Sequence, residues 1–142
     1  MKKNIITHGS LCLGDNYETD KWLANLFAGW YDPCPLDPDP KIDGLLTDWK
    51  INTFVNPPYS NPKVWVRKAI MENRTYGATI VMLLKMDSST VWFKELVEEG
   101  AHFLWINKRL KHCTTSAAAF PSMLAVLAGH DKKQKNLQEV FK

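Results

Sequence analysis

"TFVNPPYSNPKVWVRKAI", Thr53 to Ile70, joins an apolar run to an amphipathic segment through an asparagine, two consecutive prolines and a tyrosine. With Ile51 and Asn52 in front of it, the apolar run "INTFVN" reads as a short strand. Each proline fixes its own φ near −65° and pushes the residue before it towards extended geometry. Asn56 and Pro57 both precede a proline, so both are held extended and stiff. Further on, Asn61 is placed to cap a helix that takes Pro62 in its first turn, where the missing N–H is no loss. That helix runs through "KVWVRKAIMEN". The stretch is strand, rigid turn, helix.

Outward from it, the same alternation continues. "ATIVMLL" (78–84) has no polar alternation, the mark of a strand covered on both faces. Asp87 or Ser88 is placed to cap "STVWFKELVEE", which Gly100 ends. "AHFLWI" reads as a strand, "NKRLKHCTTS" as a basic loop and "SMLAVLAG" as a last buried strand. Upstream, "ETDKWLANLFAGW" spaces Trp22, Leu23, Leu26 and Phe27 along one helical face, with Gly29 as a stop. The four prolines of "WYDPCPLDPDPK" exclude regular structure for most of its length. Strands alternating with helices of about three turns predict a parallel α/β sheet with right-handed crossovers. The expected organisation is a single domain over 1–142, with a polar segment at 1–14 and a charged tail from about 130 to 142. Such sheets bind ligands at the carboxyl ends of their strands, and Asn56 stands at one.

Composition is compatible with that picture. A chain of 142 residues makes about one domain with a real core. At 45% hydrophobic and 23% charged residues, disorder is not the default. A net charge of +3 permits a polyanionic partner without requiring one. Cys12, Cys34 and Cys113 are never spaced C-x-x-C, which argues against a disulfide framework or zinc ribbon and for reduced thiols in a cytosol. His112–Cys113 has no answering pair, so no metal is expected. No apolar run suits a signal peptide or membrane span, so a soluble cytoplasmic protein is expected.

The chemistry follows from what the two prolines lack. Neither has an N–H, so the turn offers acceptors without donors at those positions. The Asn56 side-chain oxygen and the Pro57 carbonyl can converge on one NH₂ group. A planar aromatic amine, such as that of adenine, spreads its lone pair into the ring and is a poor nucleophile. Two acceptors gripping its hydrogens localise that pair and stabilise the positive charge that develops on nitrogen as it attacks. Tyr59 offers a face for the base, worth about 1–3 kcal/mol in comparable stacks, and cation–π attraction to a sulfonium. A sulfonium methyl group is the electrophile this arrangement suits. The plainer alternative is a rigid turn, with Asn56 satisfying backbone groups and Tyr59 packing on the sheet.

At these residues the chain resembles a known family. "NPPYS" followed by "NPKVWVRKAI" is similar to motif IV of AdoMet-dependent amino methyltransferases, and more narrowly to the small phage-type, Dam-like DNA adenine methyltransferases. "DNYETD" resembles that family's N-terminal "D-W-x-T-P" segment, with Asp20 where proline is expected. "DGLLTDW" resembles its "DGL…W" segment, "WINKRLKH" its basic loop and "AAAFPSMLAVL" its final strand. The likeness spans about residues 15 to 129. It implies a Rossmann-like AdoMet-dependent methyltransferase fold of reduced size, with Asn56, Pro57, Pro58 and Tyr59 as catalytic residues. It implies S-adenosyl-L-methionine as cofactor, Glu18 and Thr19 against its methionine end, and a host-cell cytoplasm if the protein is viral. The glycine-rich loop of larger methyltransferases is replaced by "DPCP". AdoMet is therefore expected to be held by Asp32, the rigid Pro33–Pro35 backbone and Asn56, with Asp37 or Asp43 accepting from its ribose hydroxyls or adenine amine. For these aspartates ordinary Asp-Pro turn chemistry is the alternative.

The expected reaction is methyl transfer to the amino group of adenine in DNA. The same motif serves enzymes that methylate cytosine's amino group, guanine's amino group in RNA, or a glutamine side chain. A catalytically silent nucleic-acid-binding module is the alternative from another class. Pro33–Cys34 resembles the nucleophile of cytosine-C5 enzymes, but the glutamate and arginines that chemistry needs have no counterpart here. Lys108, Arg109, Lys111 and His112 are the candidate phosphate contacts, against the alternative of a solvated surface. Lys132, Lys133 and Lys135 read as solubility, and Trp49 and Trp65 as core. A duplex base must be flipped out to reach such a pocket. No segment is left for a target-recognition domain, so loose specificity, a homodimer or a partner protein is expected.

Overall fold

A computed structural model of the chain describes residues 18–36, 43–111, 117–118 and 120–131. Its elements are α1 (Lys21–Leu26), β1 (Asn52–Val55), α2 (Pro62–Tyr76), β2 (Thr79–Lys85), α3 (Val91–Glu98), β3 (His102–Trp105) and β4 (Ser122–Leu127). The charged tail from 132 and the polar segment 1–14 lie outside the described residues. Among those described, no helix is long and apolar enough to cross a membrane.

The four strands form one sheet in the order β1-β2-β4-β3. β1 and β2 pair in parallel, Thr53 opposite Ile80 and Val55 opposite Met82. β4 runs antiparallel to both its neighbours, with Leu83 and Leu104 both opposite Leu124. The expected all-parallel sheet is thus a mixed one. A strand buried on both faces reads the same in either direction, and the side chains of "SMLAVL" hold no signal of polarity.

Alternate residues of the strands feed two cores. Val55, Ile80, Met82 and Leu84 pack under α2 and α3 with Trp49, Trp65 and Trp92. Phe54, Val81 and Leu83 face the other way, towards Leu23 of α1 and Leu110 of the basic loop. Trp49 and Trp65 are core residues, as expected, stacked with centroids 6.3 Å apart, and the Trp49 indole N–H donates to Gly44 O at 2.7 Å.

Local signals were right in kind and off in detail. α1 is six residues, shorter than the periodic segment, with Leu23 buried but Leu26 64% exposed. Asn61 precedes α2 without a side-chain cap bond. α2 extends to Tyr76, where Gly77 at φ 72° ends it and donates its N–H to Asn73 O. A Cβ at Gly77 would lie 2.2 Å from His130 O, so the site is closed to larger residues on two counts. The cap of α3 is Thr90, whose hydroxyl accepts Phe93 N–H, and not Asp87 or Ser88. Asp87 Oδ1 is engaged one step earlier, accepting both the N–H and the hydroxyl of Ser89. That pairing holds the Asp87 carboxyl below the usual carboxylate range.

Candidate active site

Tyr31 is the residue that assembles the site. It lies beside β1 as a single parallel bridge to Thr53, its N–H donating to Asn52 O at 3.0 Å and its O accepting Phe54 N–H at 2.9 Å. One rung is enough to bring Asp32, just past Tyr31, to the same sheet end as Asn56, just past Val55. Proline at 33 then prevents this segment from extending the ladder. No periodicity in "WYDPCP" points to the bridge, so it was not legible from that segment.

A cavity of about 230 Å³ opens there, lined by Glu18, Thr19, Ala24, Asp32, Cys34, Pro35, Leu36 and Asn56. The structure thus brings together four candidate residues from three separated segments. Asn56 is half-buried, and its Nδ2 donates to Thr19 Oγ1 at 3.2 Å. With the nitrogen turned to Thr19, the orientation of Oδ1 is fixed.

Asp32 is exposed, yet partial desolvation against the cavity wall pushes its pKa above the ordinary carboxylate value. The N–H of Cys34, 2.9 Å from Asp32 Oδ1, works in the opposite direction. Pro33 is buried, and its carbonyl is where a Cβ on Gly44 would fall, at 1.9 Å. Only glycine lets the "DGL" turn pack this closely on the Asp32 segment. Asp43 is exposed and accepts the N–H of Leu45 at 3.0 Å, which is turn chemistry, and it does not line the cavity. Asp37 and His112 lie outside the described residues.

Pro57 is buried and Pro58 half-buried. The Pro58 carbonyl accepts Asn61 N–H at 3.4 Å and closes the turn, in which the Pro57 carbonyl takes no part. Tyr59 meets Phe120 edge to face, centroids 4.7 Å apart. Phe120 in turn lies under the Lys85 ammonium, 5.9 Å away, at the end of β2. Phe120 and Lys85 were not singled out from sequence. Only the sheet order sets them beside the Asn56 turn.

Lys108, Arg109 and Lys111 are exposed on the loop leaving β3. Lys108 and Arg109 line a groove of about 530 Å³ with Trp105, Met86 and Pro121, and Trp105 is 58% exposed. The loop is anchored by Leu110, which is fully buried. Its backbone reaches back to the cavity side, where Lys111 N–H donates to Asp20 Oδ2 at 2.9 Å.

The family of DNA N-6-adenine-methyltransferases (Dam) matches residues 39–136, well over half of the chain. The chain belongs to this family. Two relatives bear the same name, DNA N-6-adenine-methyltransferase. One, from Haemophilus phage HP1 (strain HP1c1), is 34% identical over 112 residues, covering 68% of this chain and 65% of the relative. The other, from Escherichia phage T1, is 42% identical over 59 residues, 42% of this chain and 24% of the relative. The chain therefore spans less than two thirds of the length of either. No solved structure matches. The Dam match contains Asn56–Tyr59 and the basic loop, whereas Glu18, Thr19 and Asp32 precede it. The cavity is thus built partly from residues inside the family match and partly from residues before it.

Proposed function

We propose that this chain transfers a methyl group from S-adenosyl-L-methionine to the exocyclic amino group of adenine in DNA, on a small Rossmann-like methyltransferase fold. The observation that carries the reading is the placement of Asn56 on the wall of an acidic cavity, at a strand end, in a member of the Dam family.

The lining suits a cationic cofactor. Glu18 and Asp32 are carboxylates on a wall that otherwise includes Ala24, Pro35 and Leu36. A cationic ligand offsets the desolvation that raises the Asp32 pKa. At about 230 Å³ the cavity suits one end of such a molecule, smaller than the 300–1,000 Å³ typical of whole small-ligand sites. When bound, the cofactor supplies a methyl group on a sulfonium, whose carbon–sulfur bond breaks with its electron pair going to sulfur.

The chain's own residues prepare the nucleophile. Thr19 holds the amide of Asn56 by its nitrogen, which fixes the direction of Oδ1, the acceptor assigned to the amine in this reading. The Pro57 carbonyl is the second acceptor, stiffened by Pro58 behind it. Between them the target nitrogen becomes a better nucleophile, and the positive charge it gains on forming its bond to carbon meets two oxygen dipoles. The surplus proton then leaves to water, so no general base is required before transfer. Tyr59, its ring braced by Phe120, is assigned the stacking face for the base. Trp105, Lys108 and Arg109 offer an aromatic and basic groove for the strand that carries it.

The test is transfer of a labelled methyl group to DNA, RNA and protein in parallel, followed by digestion to nucleosides. N6-methyladenine from the DNA arm is expected. Asn56→Ala should lower turnover by about 10²-fold or more, the usual cost of losing one such dipole, while still binding the cofactor. Near-normal turnover in that variant, or label in RNA or protein alone, overturns the reading.

A further inference from the structure

Asp20 occupies the position from which an aspartate ordinarily caps its own helix, yet its side chain makes no capping bond to α1. Its carboxylate accepts instead the backbone N–H of Lys111, 91 residues along the chain. One residue earlier, Thr19 holds the amide of Asn56. Two residues later, the Trp22 ring lies 4.5 Å from the Lys108 ammonium. Leu23 and Leu110, both fully buried, join the same two segments from beneath.

We propose that Asp20 is a positioning residue that makes DNA and cofactor bind cooperatively, by locking the basic loop to the segment that orients Asn56. The proposal rests on the function proposed above. A bond from an N–H to a carboxylate is roughly twice as strong as one between neutral groups, and this one, at an exposed position, is backed by the buried Leu23 and Leu110 beneath it. From Lys111 the path runs through Asp20 and Thr19 to Asn56 with only one peptide unit between its two hydrogen bonds. Phosphates on Lys108 and Arg109 fix the loop, and the fixed loop fixes the wall of the cofactor cavity. Ordering imposed on this shared unit by the first ligand is not imposed again by the second, which gives positive coupling.

The experiment measures four affinities by calorimetry. S-adenosylhomocysteine, used so that no turnover occurs, is titrated with and without duplex DNA, and the DNA with and without S-adenosylhomocysteine. Linkage requires the same factor both ways, and about 5- to 150-fold is the usual range. The wild-type protein should show such a factor, Asp20→Ala a factor near one, and Asp20→Asn, with its uncharged acceptor, a value between. Should Asp20→Ala fail to fold, Asp20→Asn carries the test, and an unchanged factor there overturns the proposal. Independent binding of the two ligands to the wild type also overturns it, while leaving the proposed function standing. Binding of neither ligand removes both.

Discussion

The two faces of the sheet are built differently. On one, α2 and α3 lie over a core of Trp49, Trp65, Trp92, Met82 and Leu84, and ion pairs Arg67–Glu95 and Arg74–Glu99 cross between the helices. On the other, a six-residue helix and a loop cover Phe54, Val81 and Leu83. They are held by Leu23, Leu110, the stack of Phe27 on Phe54 at 4.4 Å, and the single bond from Lys111 to Asp20. The first face resembles a domain interior and supplies stability. Among the described residues the second face is the thinner, and it borders the cavity and the basic loop.

Three changes test that division. The largest effect belongs to the helical face. Glu72 is fully buried, and Lys68, largely covered, pairs with it at 2.5 Å. Lys68→Met removes the ammonium, which also lies 5.9 Å from the Trp49 ring, and leaves a buried carboxylate uncompensated, at a cost of about 3–5 kcal/mol. Urea unfolding should record that loss, with cofactor affinity of the folded fraction unchanged. A stability within experimental error of wild type breaks the comparison.

Gly44→Ala acts at the site side. The new methyl group would overlap the Pro33 carbonyl, so the Asp32 segment must shift, at about 1–3 kcal/mol. Here cofactor affinity should fall along with the melting temperature. Lost stability with full affinity would show that the cavity wall does not depend on the "DGL" turn.

The smallest effect is one of pH. Asp32 has a folded-state pKa above its ordinary value of 3.8. Its protonated form therefore favours the fold, a contribution complete below that value and lost as pH rises through the folded-state pKa. Binding of a cation runs the other way, strengthening as Asp32 ionises. Cofactor affinity should rise with pH across that acidic window, and Asp32→Asn should flatten the profile. An equally steep profile in the variant assigns the titration to another group.

What could be read in advance was whatever is decided locally. The strand, rigid turn and helix around Asn56 follow from two prolines and an asparagine, whose constraints need no tertiary partner. The two-sided core was legible in the apolar run of β2. Strand direction was not, because burial on both faces erases the pattern that distinguishes orientations. The cap of α3 was missed because Asp87, Ser88, Ser89 and Thr90 all suit the role, and competition among them is settled by geometry. The cavity needed Tyr31 beside Thr53, and the tether needed Asp20 beside Lys111. Both are long-range pairings between segments with no periodic signature.

The one-rung contact of Tyr31 with β1 has a consequence for how such a pocket can change. Adjacent strands sit about 4.8 Å apart whatever their side chains, so a peptide ruler sets the gap between the acidic wall and the amide. Replacing a lining residue alters what is gripped without moving where the grip occurs. Chemistry and dimension are thereby under separate control, and a small chain can retune one while the other stays fixed.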